Sequence, residues 1–365
     1  MNNHSTAARS GKFRSINGLS LQDHHFDLPL DYSDDTSGTI EVFAREVVDI
    51  KQRDNSSLPW IVYFAGGPGF PANRPTDNGG WIGEATKTHR VLLLDQRGTG
   101  LSSRILPQSL AKLSSPQQQA DYLCHFRADN IVRDAESIRR ILVGEKAQWK
   151  GMGQSYGGFC LLTYLSLFPE SLEGVIITGG VAGIKQHIDD IYRHTYTEAI
   201  AKNNSYYKRY PEDEAKAQSI VKLLIEQNIM LPSGVRFTPR RFQALGLNLG
   251  SCSGFEALHH LLEKAFIDGI DGPEIASDFL TGVEEMHSFD TNPIYCILHE
   301  SIYAEGYATQ WSAERLRSEF PDFDITPESR LNFTGEMVGP DMLDDFLQLR
   351  PFKECAEILA QKSDW

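Results

Sequence analysis

The stretch that most restricts this chain spans residues 149–168, where a short run around Trp149 to Met152 leads into Gly153-Gln154-Ser155-Tyr156-Gly157 and then into an apolar helical pattern at 159–168. A strand that passes into a helix through one serine needs a turn so sharp that the residues two before and two after it press on each other and on neighbouring strands. Glycine alone fits there. Such a turn lifts the Ser155 hydroxyl to the carboxyl edge of a parallel sheet. It also aims the helix amino terminus, with the Tyr156 N–H, at whatever sits above that edge. The plain alternative is a glycine-rich turn with an incidental serine, because the bare GxSxG string is common.

The rest of the first half supplies the sheet that this turn demands. Strands are expected at 39–48 (TIEVFAREVV), 60–64 (WIVYF), 90–94 (RVLLL), around 149–152 and at 174–178 (GVIIT). Several are continuous apolar runs, as strands buried on both faces of a parallel sheet require. Between them, residues 129–143 place Ile131, Ala135, Ile138 and Leu142 at helical spacing, with Asp129 able to cap the amino terminus. Alternating strands and helices predict an α/β fold, a mostly parallel sheet flanked by helices. After about residue 182 that rhythm stops, and amphipathic helical patterns broken by Pro232, Pro239, Gly269 and Pro273 take over. The expected organisation is a core at 1–183, a helical cap inserted at 184–340, and the start of a return to the core at 341–365.

Composition removes other classes. With 35 basic against 49 acidic residues the net charge is −14, which disfavours a surface built to neutralise nucleic-acid phosphates. Five dispersed cysteines without a CxxC pair read as free thiols in a reducing compartment. No signal-peptide pattern and no run of about 18 apolar residues occurs, so the expectation is a soluble cytoplasmic protein with no membrane partner. No metal or cofactor is expected. The adjacent pairs His24/His25 and His259/His260 diverge by about 100° if helical, a poor start for shared ligation, and Cys296 with His299 lacks further cysteines nearby.

Two more runs border the expected active edge. Ala65-Gly66-Gly67-Pro68-Gly69 follows the 60–64 strand, and Gly67 is the candidate second oxyanion donor, although the same residues also make a simple turn. Asp95-Gln96-Arg97-Gly98-Thr99-Gly100-Leu101-Ser102 follows the 90–94 strand. Its two glycines suggest a dinucleotide loop, but the third glycine position holds Ser103, and no Walker sequence exists. Asp95 and Arg97 are instead expected to tie a tight loop by charge-assisted hydrogen bonds.

GGPG at 66–69, DQRGTGLS at 95–102, DNIVRDAE at 129–136 and GQSYGG at 153–158, in this order, resemble the prolyl aminopeptidase (proline iminopeptidase) branch of the α/β-hydrolases. The segments His299-Glu300-Ser301-Ile302-Tyr303 and Phe333-Thr334-Gly335-Glu336-Met337 are similar to parts of the larger subgroup, and Ala65 departs from the histidine of shorter relatives. The resemblance implies release of an amino-terminal residue, preferentially proline, from small peptides with a free amino terminus. It also implies that cap carboxylates recognise the amine. Glu300 and Glu336 are the candidates, because a buried ammonium is costly unless paired, and Tyr295, Tyr303 and Phe333 could wall the pyrrolidine. Both glutamates read equally as ordinary carboxylates.

A serine nucleophile also needs a histidine and an acid, in the chain order Ser, Asp or Glu, His. About 29 residues follow Glu336, none of them histidine, whereas two strands, two helices and their connections need roughly 50. Neither partner can be carried over from the resemblance onto this sequence, and His299 beside Glu300 is a poor substitute. The C-terminal strands of the fold are therefore expected to be missing, with an unpaired sheet edge exposed as a result. A non-catalytic hydrolase-like binding protein and an esterase or amidase on the same scaffold are the alternatives.

Overall fold

The structure, a computed structural model, describes residues 7–181, 183, 185–270 and 272–365. It divides into two compact units, Met1–Ile184 and Lys185–Trp365. Among the described residues no helix is long and apolar enough to cross a membrane.

The first unit is built on one sheet. Its strands are β1 (Ala7–Ser10), β2 (Arg14–Ile16), β3 (Leu19–Pro29), β4 (Thr39–Asp49), β5 (Trp60–Phe64), β6 (Arg90–Asp95), β7 (Trp149–Gln154) and β8 (Leu172–Thr178). Their order is β1-β3-β4-β6-β5-β7-β8, with β2 also on β3. Pairing is antiparallel up to β4–β6, and parallel for β6–β5, β5–β7 and β7–β8. As the apolar runs imply, β6 is buried along its whole length and β5 from its second residue. Alternate residues Leu19, Leu21, Val47, Ile61, Tyr63, Val91 and Leu93 form one face of the core. Among the described residues β8 pairs with β7 alone, and Ile176 on it is 51% exposed.

One expectation needs correction. Asp129 does not cap its helix: Ala128–Leu142 begins after Arg127, no side chain caps it, and Asp129 lies in the first turn, where its charge suits the helix dipole. Asp95 and Arg97 do hold loops by charge-assisted hydrogen bonds, each with its own partners. Asp95 pairs with Arg74 and accepts the N–H groups of Ala72 (3.2 Å) and Leu101 (2.8 Å). Arg97 forks onto both oxygens of Asp134 (2.8 and 2.6 Å) and donates to the carbonyls of Leu30, His125 and Pro29. Burial works against the Arg97 charge, and the two-fold contact with Asp134 outweighs it, so the guanidinium pKa is raised. On the Ala128–Leu142 helix, Glu136 accepts from Arg139 and Arg140 of the same helix and from Tyr164 of the helix Tyr156–Leu167.

The second unit has its own core, in which Tyr206, Tyr207, Ile220, Leu224, Phe237, Phe242, Leu258 and Phe279 are buried together. Its longer helices are Ile188–Arg209, Glu212–Glu226, Gly254–Glu263, Ser277–Glu285 and Lys353–Gln361. A hairpin unforeseen in the sequence, β9 (Phe266–Gly269) with β10 (Gly272–Ile275), interrupts them. Residues 341–365, read from sequence as the start of a return to the core, pack inside this unit: Lys353–Gln361 lies on Ile294–Leu298, and Gln310 N–H donates to the Ala360 carbonyl at 2.8 Å.

Replacing Asp134 by Ala leaves Arg97 charged and buried without its partner, and urea unfolding is expected to show a loss of about 3–5 kcal/mol. A loss below about 1 kcal/mol would show that the pair does not hold these loops. In the second unit, burial pushes the Asp345 carboxyl up to about 6, while Thr238 Oγ1 donates to it at 2.8 Å. The folded state therefore keeps this proton where the unfolded chain has lost it, so stability falls as pH rises from about 4 through about 6, by up to about 3 kcal/mol. Asp345→Asn is expected to flatten that slope, measured as unfolding midpoint against pH.

Candidate active site

Ser155 stands between the end of β7 and the helix Tyr156–Leu167, with φ 52° and ψ −121°, outside the regions that L-residues favour. Three neighbours define its place. Its N–H donates to the Thr178 carbonyl at the end of β8 (2.9 Å), and its own carbonyl accepts from Gly158 N–H (2.8 Å). Gly66, in the loop after β5, lies close enough that a Cβ there would stand 3.1 Å from Ser155 Cβ and 3.7 Å from its Oγ.

The steric demand read from the sequence is met. A Cβ on Gly153 would lie 2.3 Å from the Gly157 carbonyl oxygen, and one on Gly157 would lie 2.1 Å from the Phe64 carbonyl oxygen of β5. The pentapeptide thus closes on itself and on the neighbouring strand. Two contributors carried no signal strong enough to single them out. Thr178 supplies the carbonyl that holds Ser155, and Gly180 lies so near that a Cβ would meet the Ser155 carbonyl oxygen at 1.9 Å. The Gly179-Gly180 pair after the GVIIT strand was the available hint.

Tyr156 N–H is the first of its helix, a group with no partner one turn back. The Tyr156 side chain is buried, and burial raises its phenol pKa well above the usual value. Gly67 has φ +129°, a conformation that favours glycine, and the Gly67–Pro68 bond is cis. Gln96 Nε2 donates to the Ala65 carbonyl at 3.0 Å, joining this loop to the DQRGTGLS run.

Glu300 and Glu336 both belong to the second unit, and they differ. Glu300 is buried, and its two oxygens accept the N–H groups of Ser312 and Ala313, each at 3.0 Å. It thereby anchors the start of the helix Ser312–Leu316, where Trp311 is left-handed and no side chain of the cap residue serves. Burial raises the Glu300 pKa, opposed by those backbone bonds. Glu336 is exposed, with Tyr295 Oη donating to Oε1 at 3.1 Å. Burial holds the Tyr295 and Tyr303 phenols protonated, and the Glu336 charge adds to the effect. Phe333, expected beside the pyrrolidine, is instead fully buried in the core with Tyr206, Tyr207 and Phe242. His299 is buried and its pKa is lowered by burial, so the ring is neutral.

A sheet whose parallel strands end at a strained serine, followed at once by a helix, is the architecture of an α/β-hydrolase. Residues 59–219 match the family model of the alpha/beta hydrolase fold. A proline iminopeptidase of Aeromonas sobria is 48% identical over 351 residues, covering 96% of this chain and 81% of that protein. A proline iminopeptidase of Aspergillus aculeatus is 36% identical over 345 residues, covering 93% and 77%. The chain belongs to the proline iminopeptidase family of serine hydrolases.

Gly180→Ala is expected to cost about 1–3 kcal/mol and to displace the elbow, because the new methyl meets backbone that cannot swing away. Gly174→Ala on β8, where a Cβ would find nothing within 4 Å, is the control and should change stability by under about 0.5 kcal/mol in thermal unfolding.

Proposed function

We propose that this chain is an aminopeptidase that releases amino-terminal residues, proline preferred, from small peptides, with Ser155 as nucleophile. Ser155 Oγ attacks the carbonyl of the first residue, and the N–H groups of Gly67 and Tyr156 donate hydrogen bonds to the oxyanion that develops on its oxygen. The serine proton passes through a base to the departing amine, and water then releases the acyl group. The single observation that carries this reading is the backbone of Ser155, held off the favoured regions at the carboxyl ends of β5, β7 and β8. That the two long relatives are proline iminopeptidases supports the substrate class.

The free amine of the substrate needs a negative partner. Glu336, exposed and accepting from Tyr295 Oη, is the proposed first contact. Glu300, whose oxygens accept the Ser312 and Ala313 N–H groups and are also hydrogen-bonded by Thr309, is the second and more committed acceptor. Five free thiols support a reducing, cytoplasmic setting.

A second reading, a hydrolase-like binding protein, is favoured by the described histidines of the first unit, each of which has other company. His24 lies between Ser10 (2.8 Å) and Glu46 (3.3 Å), and His25 beside Glu41 (3.1 Å). His89 contacts Thr88 (2.8 Å) and Lys150 (3.3 Å), and His125 is 3.9 Å from Asp31. The proposal assigns the base to none of them.

Hydrolysis of a proline arylamide decides between the readings. The aminopeptidase reading expects release that falls about 10⁴-fold or more in Ser155→Ala. Release unchanged by that substitution would overturn the role of Ser155, and folded wild-type protein without release would favour the binding protein. Glu336→Gln is expected to raise KM for the arylamide about tenfold while leaving kcat within about threefold. An unchanged KM would remove Glu336 from amine recognition.

A further inference from the structure

The end of the Gly254–Glu263 helix carries a side-chain cluster that the hydrolase reading leaves unused. Asp213, on the first turn of Glu212–Glu226, is wholly buried, and its Oδ2 accepts a hydrogen bond from Tyr206 Oη at 2.6 Å. Burial holds the Tyr206 phenol far above its ordinary range, so this hydroxyl remains a donor. The same oxygen lies 2.8 Å from His259 Nδ1. An acceptor there requires a proton on Nδ1, which turns Nε2 to the other side of the ring. Tyr210 stacks on the imidazole at 3.9 Å between centroids and 9° between planes, fixing its orientation.

Beyond His259 Nε2, at 3.5 Å, is Glu263 Oε1, and Glu263 Oε2 is 2.8 Å from His260 Nδ1. The 100° divergence that argued against these adjacent histidines is bridged by one carboxylate, three residues beyond one ring and four beyond the other. The two rings stand 5.4 Å apart, and donor atoms of His259, His260 and Glu263 all fall within 4.8 Å of one another. Two imidazole nitrogens and one carboxylate oxygen suit a zinc-like ion at about 2.0–2.2 Å from each, with water in the fourth position. Calcium and magnesium want oxygen donors instead. A carboxylate on the far nitrogen of a ligating histidine is the arrangement that sets its tautomer and strengthens it as a ligand, and Asp213 stands there. Glu212, Asp213 and His259 form a second group of similar spacing. That group is less suited, because Asp213 Oδ2 already serves Tyr206 and His259, and Lys216 Nζ is 3.5 Å from Oδ1.

We propose that His259, His260 and Glu263 bind a divalent zinc-class ion, with Asp213 positioning His259 from behind. The ion would fasten the last turn of one helix through His259 to the first turn of another, a structural clamp within the second unit. The arrangement it competes with is the metal-free one, in which His259 lies between the carboxylates of Asp213 and Glu263.

Metal-free protein titrated with zinc chloride by calorimetry, and with cobalt chloride by visible absorption, separates the two. The proposal expects one equivalent of zinc, tetrahedral cobalt bands, and a zinc-dependent rise in the unfolding temperature. His260→Ala and Glu263→Gln, both at exposed positions, should each weaken zinc binding about tenfold or more. Cys252→Ser, which removes the exposed thiol most apt to take zinc elsewhere, should leave that equivalent in place. Absence of zinc uptake by the wild type, or unchanged affinity in both His260→Ala and Glu263→Gln, would overturn the proposal.

Discussion

The backbone of Ser155 is the constraint on which the first unit is arranged. A residue at φ 52° and ψ −121° costs about 1–3 kcal/mol and persists only where its surroundings leave no alternative. Here the surroundings are two strand ends and a loop. β8 receives the Ser155 N–H at Thr178, β5 presents the Phe64 carbonyl against Gly157, and the loop after β5 brings Gly66 beside the serine side chain. Each contact needs β7 to lie between β5 and β8, which is the order the sheet adopts. Sheet order and serine exposure are thus one fact seen at two scales.

Buried charge then fixes the loops around that edge. Arg97 reaches from just beyond β6 to Asp134 on the helix Ala128–Leu142 and to three backbone carbonyls, while Asp95 gathers Arg74 and two N–H groups. The family-like strings DQRGTGLS and DNIVRDAE occur together because one supplies the guanidinium and the other its carboxylate. In the second unit a carboxylate does comparable work, with Glu300 replacing the missing cap of a short helix. A side chain so committed offers a ligand less than the exposed Glu336 does.

Much of the first unit was legible because its strands are continuous apolar runs bounded by turns. β5 falls at the expected residues, and β6 extends only to Asp95. β3 escaped notice because Gln22, Asp23, His24 and His25 break its apolar pattern. Antiparallel pairing with β4 along all of Leu19–Pro29 allows such a mixed face, since one side need not be buried. The elbow was legible because glycine spacing reports sterics directly. Glu300's bonds to Ser312 and Ala313, the burial of Phe333, and the meeting of His259 and His260 at Glu263 all depend on packing between segments distant in sequence or on rotamers that periodicity does not encode.

The claim that the strained elbow presents a nucleophile is tested most directly by treating the folded protein with a fluorophosphonate and mapping the adduct by peptide mass spectrometry. The account predicts a single adduct, on Ser155. Modification at another residue, or none on folded protein, would contradict it.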